Sequence, residues 1–133
     1  MQSEHDDKIP LDLVVQGAVF EYRRAFSRAE ILAFADLSGD HGEHHVHGDR
    51  LMAHGLLLAS IVTKIGGDLN YISQEMLLRF EAPVYEGEEV TGRITLTGVI
   101  DKRLRKKIEM ECNLFKGDVP VVRGTSYGQI LRK

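Results

Sequence analysis

Cysteine is nearly missing from this chain: Cys112 stands alone, and there is no tryptophan among the 133 residues. One cysteine cannot form an intrachain disulfide, and this usage fits a reducing compartment. No apolar run approaches the length of a membrane span. Charge of one sign is not in excess: the net charge is −3 with histidine neutral, which excludes strong attraction to nucleic acid or an anionic membrane. The N-terminal MQSEHDDKIP is polar and acidic, unlike a signal or transit peptide, so a cytoplasmic protein is expected. Conventional cofactor and nucleophile motifs are also missing. There is no GxGxxG or GxxxxGK[ST] to cradle a phosphate, no GxSxG, no HExxH and no CxxC. Repeats, low-complexity segments and interdomain linkers are absent too.

What remains is an ordinary globular composition, 43% hydrophobic and 28% charged, in a length suited to one core. Residues 1–10 read as a loose tail ending at Pro10, and 11–133 as a single domain. Leu11 to Phe26, rich in Val, Phe and Tyr and free of internal proline, suggests a strand pair or one long bent strand. Ser27-Arg28-Ala29-Glu30 has the form of a capping box, and Ile31, Phe34, Ala35 and Ser38 follow helical spacing to Gly39. Residues 40–52 read as a loop. Ala53 to Ile65 is apolar nearly all round, the mark of a helix buried on most faces, with Gly66-Gly67-Asp68 as its stop.

The rest is β. Ile72, Met76, Leu78 and Phe80 are expected on one face of a long strand. Val90, Ile94 and Leu96 alternate with polar residues, as do Ile108, Met110, Cys112 and Leu114, and Val121 to Ile130 makes the last strand. In that pattern Cys112 is a small core residue. Lys102, Arg103, Arg105, Lys106 and Lys107 could form a local phosphate-binding patch, but near a turn between strands a solvated hairpin end is the favoured reading. The fold class is therefore α+β, a curved antiparallel sheet around a central buried helix. Its exposed edges call for a cover, which dimerisation supplies most simply.

Chemistry concentrates between Leu37 and Ile61. Asp40 and His45 share a glycine-flanked loop, and a carboxylate and an imidazole that converge on one water can remove one proton and supply another. The same residues also fit a surface loop with an Asp cap and exposed histidines. His41, His44, His45 and His47, with Glu43 and Asp49, are dense enough to raise a metal site, but no ligand spacing supports one and none is expected. Gly55, at the start of the buried helix, offers an unpaired first-turn N–H in the positive field of the helix dipole and no side chain to obstruct a carbonyl oxygen. A small residue at a tight loop-to-helix join explains it equally well. His54 fits a buried hydrogen-bonded residue as well as a functional one. Ser60 and Thr63 could touch a ligand or bond back along the helix.

Together, LSGD with His45, then MAHGLLLASIV, then LLRFEAPVYEGEEVTGRITL, resemble the MaoC-like (R)-specific enoyl-CoA hydratases of the hotdog superfamily. Ser38, Gly39, Asp40 and His45 fall on the first motif of that family, Ala53, His54 and Gly55 on the second, and Phe80, Pro83, Val84, Gly87 and Glu88 on the third. The resemblance implies a hotdog fold, an obligate dimer or dimer-based oligomer, and an acyl-thioester tunnel. It implies hydration of a trans-2-enoyl thioester, carried by CoA or by the phosphopantetheine of an acyl carrier protein, to a 3-hydroxyacyl thioester, with no further cofactor. By the same resemblance Asp40, His45 and Gly55 are catalytic, while His54, Thr63 and Ala53 bind substrate. The chain departs from the family where Gly42-Glu43 replaces Asn-Pro, where His44 replaces a hydrophobic residue, and in a short segment from His45 to Ala53. A hotdog thioesterase and a non-catalytic acyl-thioester-binding subunit are the competing functions.

Overall fold

In the computed structural model, which describes residues 8–133, the elements after a single 3-10 turn (Leu11–Leu13) are β1 (Val19–Ala25), α1 (Arg28–Ser38), α2 (Glu43–Val46), α3 (Gly55–Leu69), β2 (Tyr71–Phe80), β3 (Glu89–Asp101), β4 (Arg105–Lys116) and β5 (Val119–Leu131). The five strands form one antiparallel sheet in the order β1-β3-β4-β5-β2. Strict alternation in β3 and β4 turns Val90, Ile94, Leu96, Ile108, Met110, Cys112 and Leu114 to one face. That face meets Leu57, Leu58, Ile61, Val62, Ile65 and Leu69 of α3, so the helix lies in the concavity of the sheet. The approach is close: a Cβ on Gly92 of β3 would stand 2.3 Å from Ile61 Cγ2. Cys112 is fully buried in this layer, and burial pushes its thiol up to about 12.

The helix is placed differently from its sequence expectation of 53–65. Ala53 and His54 precede the helix, the Ala53 N–H paired to Val84 C=O at 2.8 Å and His54 extended at the N-cap, and α3 begins at Gly55. At the other end the helix runs through Gly66-Gly67-Asp68. Two helical glycines cost about 1 kcal/mol each. Burial of Leu69 offsets this by about 1.5–3 kcal/mol, and a Lys64–Asp68 ion pair of 2.6 Å spans the last turn. The stop is Asn70, in the left-handed region at φ 56°.

Three further differences follow from tertiary contacts. The segment from Leu11 to Phe26 is neither a strand pair nor one long strand. A turn at Gly17 (φ 90°) separates the 3-10 turn from β1. Buried Lys106 donates from Nζ to the carbonyls of Leu11 and Val14, so it alone of the basic cluster leaves solvent. Residues 8–10 of the expected tail are tied down, Ile9 N–H donating to Asp68 C=O and Lys8 Nζ to Gly67 C=O, both at 2.8 Å; the tail's residues 1–7 lie outside the described residues. In β2 a bulge between Ser73 and Glu75 shifts the alternation. Tyr71 and Ser73, not Ile72, therefore share the face of Met76, Leu78 and Phe80. β2 is a sheet edge, and it leaves Ile72, Met76, Leu77 and Phe80 exposed.

Candidate active site

The site is assembled from three consecutive turns of chain. Ser27 and Glu30 close the expected capping box at the start of α1, and Gly39 ends the helix in the left-handed region at φ 80°. The next residue is Asp40. Its N–H donates to Ser38 Oγ, and its Oδ1 accepts the Gly42 N–H, each at 3.1 Å. The bond from Gly42 holds the Asp40 carboxyl below its ordinary range, with the neighbouring imidazoles adding to the effect.

The stretch 40–52 was expected to be a loop, yet residues 43–46 form the one-turn helix α2. Gly42 precedes it at φ −50°, ψ 138°, and a Cβ there would come within 2.9 Å of His44. This single turn sends His45 inward, leaving it 6% exposed, while His44 and His47 remain at the surface. His45 Nδ1 lies 2.6 Å from Met52 C=O. A carbonyl only accepts, so the Nδ1 proton is fixed there and the neutral ring presents its lone pair at Nε2. That nitrogen is 3.5 Å from Asp40 Oδ2. Two acceptors facing each other across this gap suit a water that donates one proton to each and leaves its oxygen lone pairs free.

Behind the pair, His54 stacks on His45 with centroids 3.7 Å apart and planes at 13°. Its Nε2 donates to Asp40 C=O at 3.0 Å, and burial holds the ring below its ordinary pKa. Gly55 opens α3 beside them, its N–H among the first-turn donors without an intrahelical acceptor. The absent side chain has a packing reason as well: a Cβ there would stand 2.7 Å from the Phe80 ring. A cavity of about 710 Å³ opens over this group, with Asp40, His45, Ala53, Gly55 and Phe80 in its walls. Such a volume accommodates a small-molecule ligand.

The structure thus brings Asp40, His45, Ala53, His54 and Gly55 together. Thr63 stands apart: it is exposed, its Oγ1 reaches back to Ala59 C=O at 3.5 Å, and it lines a separate cavity of about 240 Å³ two turns along α3. Asp40, His45 and His54 are close enough to suggest a metal cage. However, ligand lone pairs lie in the ring plane, and rings stacked at 13° send them side by side rather than toward one ion. Sequence reasoning missed the clamp that holds the short connection after α2. Arg28 donates to the Gly48 and Asp49 carbonyls and pairs with Glu86 at 3.0 Å, while Glu86 accepts the Leu51 N–H at 2.7 Å. These partners are too distant along the chain for any local pattern to reveal.

Among known proteins, no family model matches. An (R)-specific enoyl-CoA hydratase of Rhodospirillum rubrum is 29% identical over 104 residues, 68% of this chain and 71% of the relative. A 3-hydroxybutyryl-CoA dehydratase of Methylorubrum extorquens is 27% identical over 126 residues, covering 84% and 77%. Among solved structures, the (R)-hydratase from A. caviae involved in PHA biosynthesis superposes with a TM-score of 0.80 at 25% identity, over 88% of this chain and 97% of that one. The chain is similar to the MaoC-like hydratases and dehydratases and shares their hotdog fold. In this chain the turn into α2 forms without the Asn-Pro of the MaoC-like pattern. Gly42 adopts the extended backbone that suits a residue before proline, and Glu43 takes the first helical position. The hydrophobic position before the histidine is filled by His44, whose ring lies 3.9 Å from that of His45.

Proposed function

We propose that the protein hydrates a trans-2-enoyl thioester to a 3-hydroxyacyl thioester and catalyses the reverse dehydration. The observation that carries this reading is the 3.5 Å approach of Asp40 Oδ2 to His45 Nε2 at the mouth of α3. Similarity to relatives named as enoyl-CoA hydratase and 3-hydroxybutyryl-CoA dehydratase supports it.

In the proposed reaction Asp40 and His45 hold the attacking water. Its oxygen bonds to C3 of the enoyl group, and the C2–C3 π electrons move toward the thioester carbonyl. The Gly55 N–H and the dipole of α3 stabilise the resulting enolate oxygen. The Asp40–His45 pair accepts one proton from the water and returns one to C2, so H and OH are added with no redox change and no further cofactor. Ala53 forms the wall beside the acyl group, with the buried His54 behind it. Thr63 meets only the part of an acyl chain that extends into the second cavity. The thioester is carried by CoA or by an acyl carrier protein. The proposed working unit is a dimer, supported by the apolar residues that the β2 edge leaves uncovered.

Crotonyl-CoA tests this directly. Loss of enone absorbance on adding the protein, with no release of free thiol, is the expected result. Thiol release would indicate a thioesterase, and acyl-CoA binding with neither change would indicate a binding subunit.

A further inference from the structure

Histidine at position 54 has no nitrogen to offer a substrate. One nitrogen, Nε2, is committed to Asp40 C=O at 3.0 Å. The other, Nδ1, is buried and has no hydrogen-bond partner among the described residues. The residue is 3% exposed, its ring centroid 4.8 Å from that of Phe34 in an edge-type contact and 3.7 Å from that of His45 in a stacked one. A carbonyl partner requires the proton on Nε2, which leaves Nδ1 as a desolvated lone pair. A second proton at Nδ1 would have no acceptor, so the ring stays neutral. An unsatisfied buried nitrogen is costly, and the hydrogen bond and stacking geometry show what the imidazole supplies in return.

We infer that His54 is a positioning residue for Asp40 and His45, not a substrate contact. Its N–H fixes the backbone of Asp40, and its neutral ring forms the floor on which His45 lies. Both members of the pair are therefore aligned by one side chain at the N-cap of α3, the helix whose first turn carries Gly55. When His45 takes a proton from water, the charge forms against an uncharged π face rather than beside a second cation. The inference rests on the hydratase reading for its kinetic consequence, but the state of the ring is independent of it.

Two variants separate the roles. His54→Phe keeps a flat ring against His45 and removes the donor to Asp40. His54→Gln places an amide N–H near the lost Nε2 position. With His54 as a positioning residue, His54→Phe lowers kcat on crotonyl-CoA about tenfold or more while KM stays within about twofold, and His54→Gln restores a substantial part of kcat. A rise in KM with kcat retained, or wild-type kcat in His54→Phe, overturns the inference. Nitrogen-15 NMR of the unmodified protein provides a readout free of turnover and of any folding defect in the variants. His54 is expected to hold the Nε2–H tautomer without titrating between about pH 5 and 8. A protonated Nδ1 or an ordinary titration overturns the inference. An unmodified protein that keeps this tautomer yet fails to hydrate crotonyl-CoA refutes the hydratase reading alone.

Discussion

Replacing Asp40 by Asn is the sharpest test of the water-holding pair. Asp40 uses Oδ1 to accept the Gly42 N–H at 3.1 Å, and the Asn carbonyl can do the same, so the turn into α2 survives. The change lies at the second oxygen. Oδ2 is an acceptor 3.5 Å from another acceptor, the Nε2 lone pair of His45, and a donor is needed between them. An Asn Nδ2–H2 supplies that donor itself. It bonds directly to His45, removes the place of the shared water and engages the base. Loss of one general acid–base group of this kind lowers rate by about 10²–10⁴-fold. The Asp40 side chain is 55% exposed, so the melting temperature is expected to move by no more than about 2 °C. The assay is the initial rate of crotonyl-CoA hydration at saturating substrate, with a thermal melt of the same sample. An Asp40→Asn protein that hydrates within about threefold of its parent would refute the reasoning, because the carboxylate would then have no part in activating water.

Gly55→Ala places a methyl 2.7 Å from a Phe80 ring that is 52% exposed and free to swing outward. Stability should change by no more than about 1 kcal/mol, while kcat/KM for hydration falls by up to about 10²–10³-fold as the approach to the N–H closes. Glu43→Pro puts proline at the first position of α2, after a residue already extended at ψ 138°. The urea midpoint should rise by the equivalent of about 0.4–1 kcal/mol with hydration unchanged. The Glu86 carboxyl is held below its ordinary range, first by the Leu51 N–H and then by Arg28. Its contribution to stability is present above the ordinary carboxylate pKa and is lost as pH falls through the lower folded value. Acid titration of Glu86→Gln should therefore show a shallower loss of stability than the parent. Cys112, fully buried with its thiol pushed up to about 12, should resist a thiol-specific disulfide reagent in the native protein and react with one equivalent in denaturant.

Local chemistry was enough to read the capping box at Ser27–Glu30, the alternation of β3 and β4, the core position of Cys112 and the all-round apolar character of α3. Each depends on neighbours within a turn or two of chain, so each is written in the order of residues. The spacing of Asp40, His45 and Gly55 marked where chemistry could occur, and family resemblance suggested which chemistry. What spacing could not decide was whether Asp40 and His45 face one another. That required a single helical turn at 43–46, a Met52 carbonyl to fix the tautomer of His45, and a His54 ring beneath it. The bounds of α3 also lay outside local pattern, since Leu69 burial and a left-handed Asn70 outweighed two glycines. The β2 bulge likewise reassigned Ile72 to the opposite face. Sequence alone therefore determined the sheet, the buried helix and the reactive residue types, because periodicity and capping act over short range. Tertiary structure alone decided that the acid and the imidazole meet, because their alignment depends on contacts between segments that no local spacing encodes.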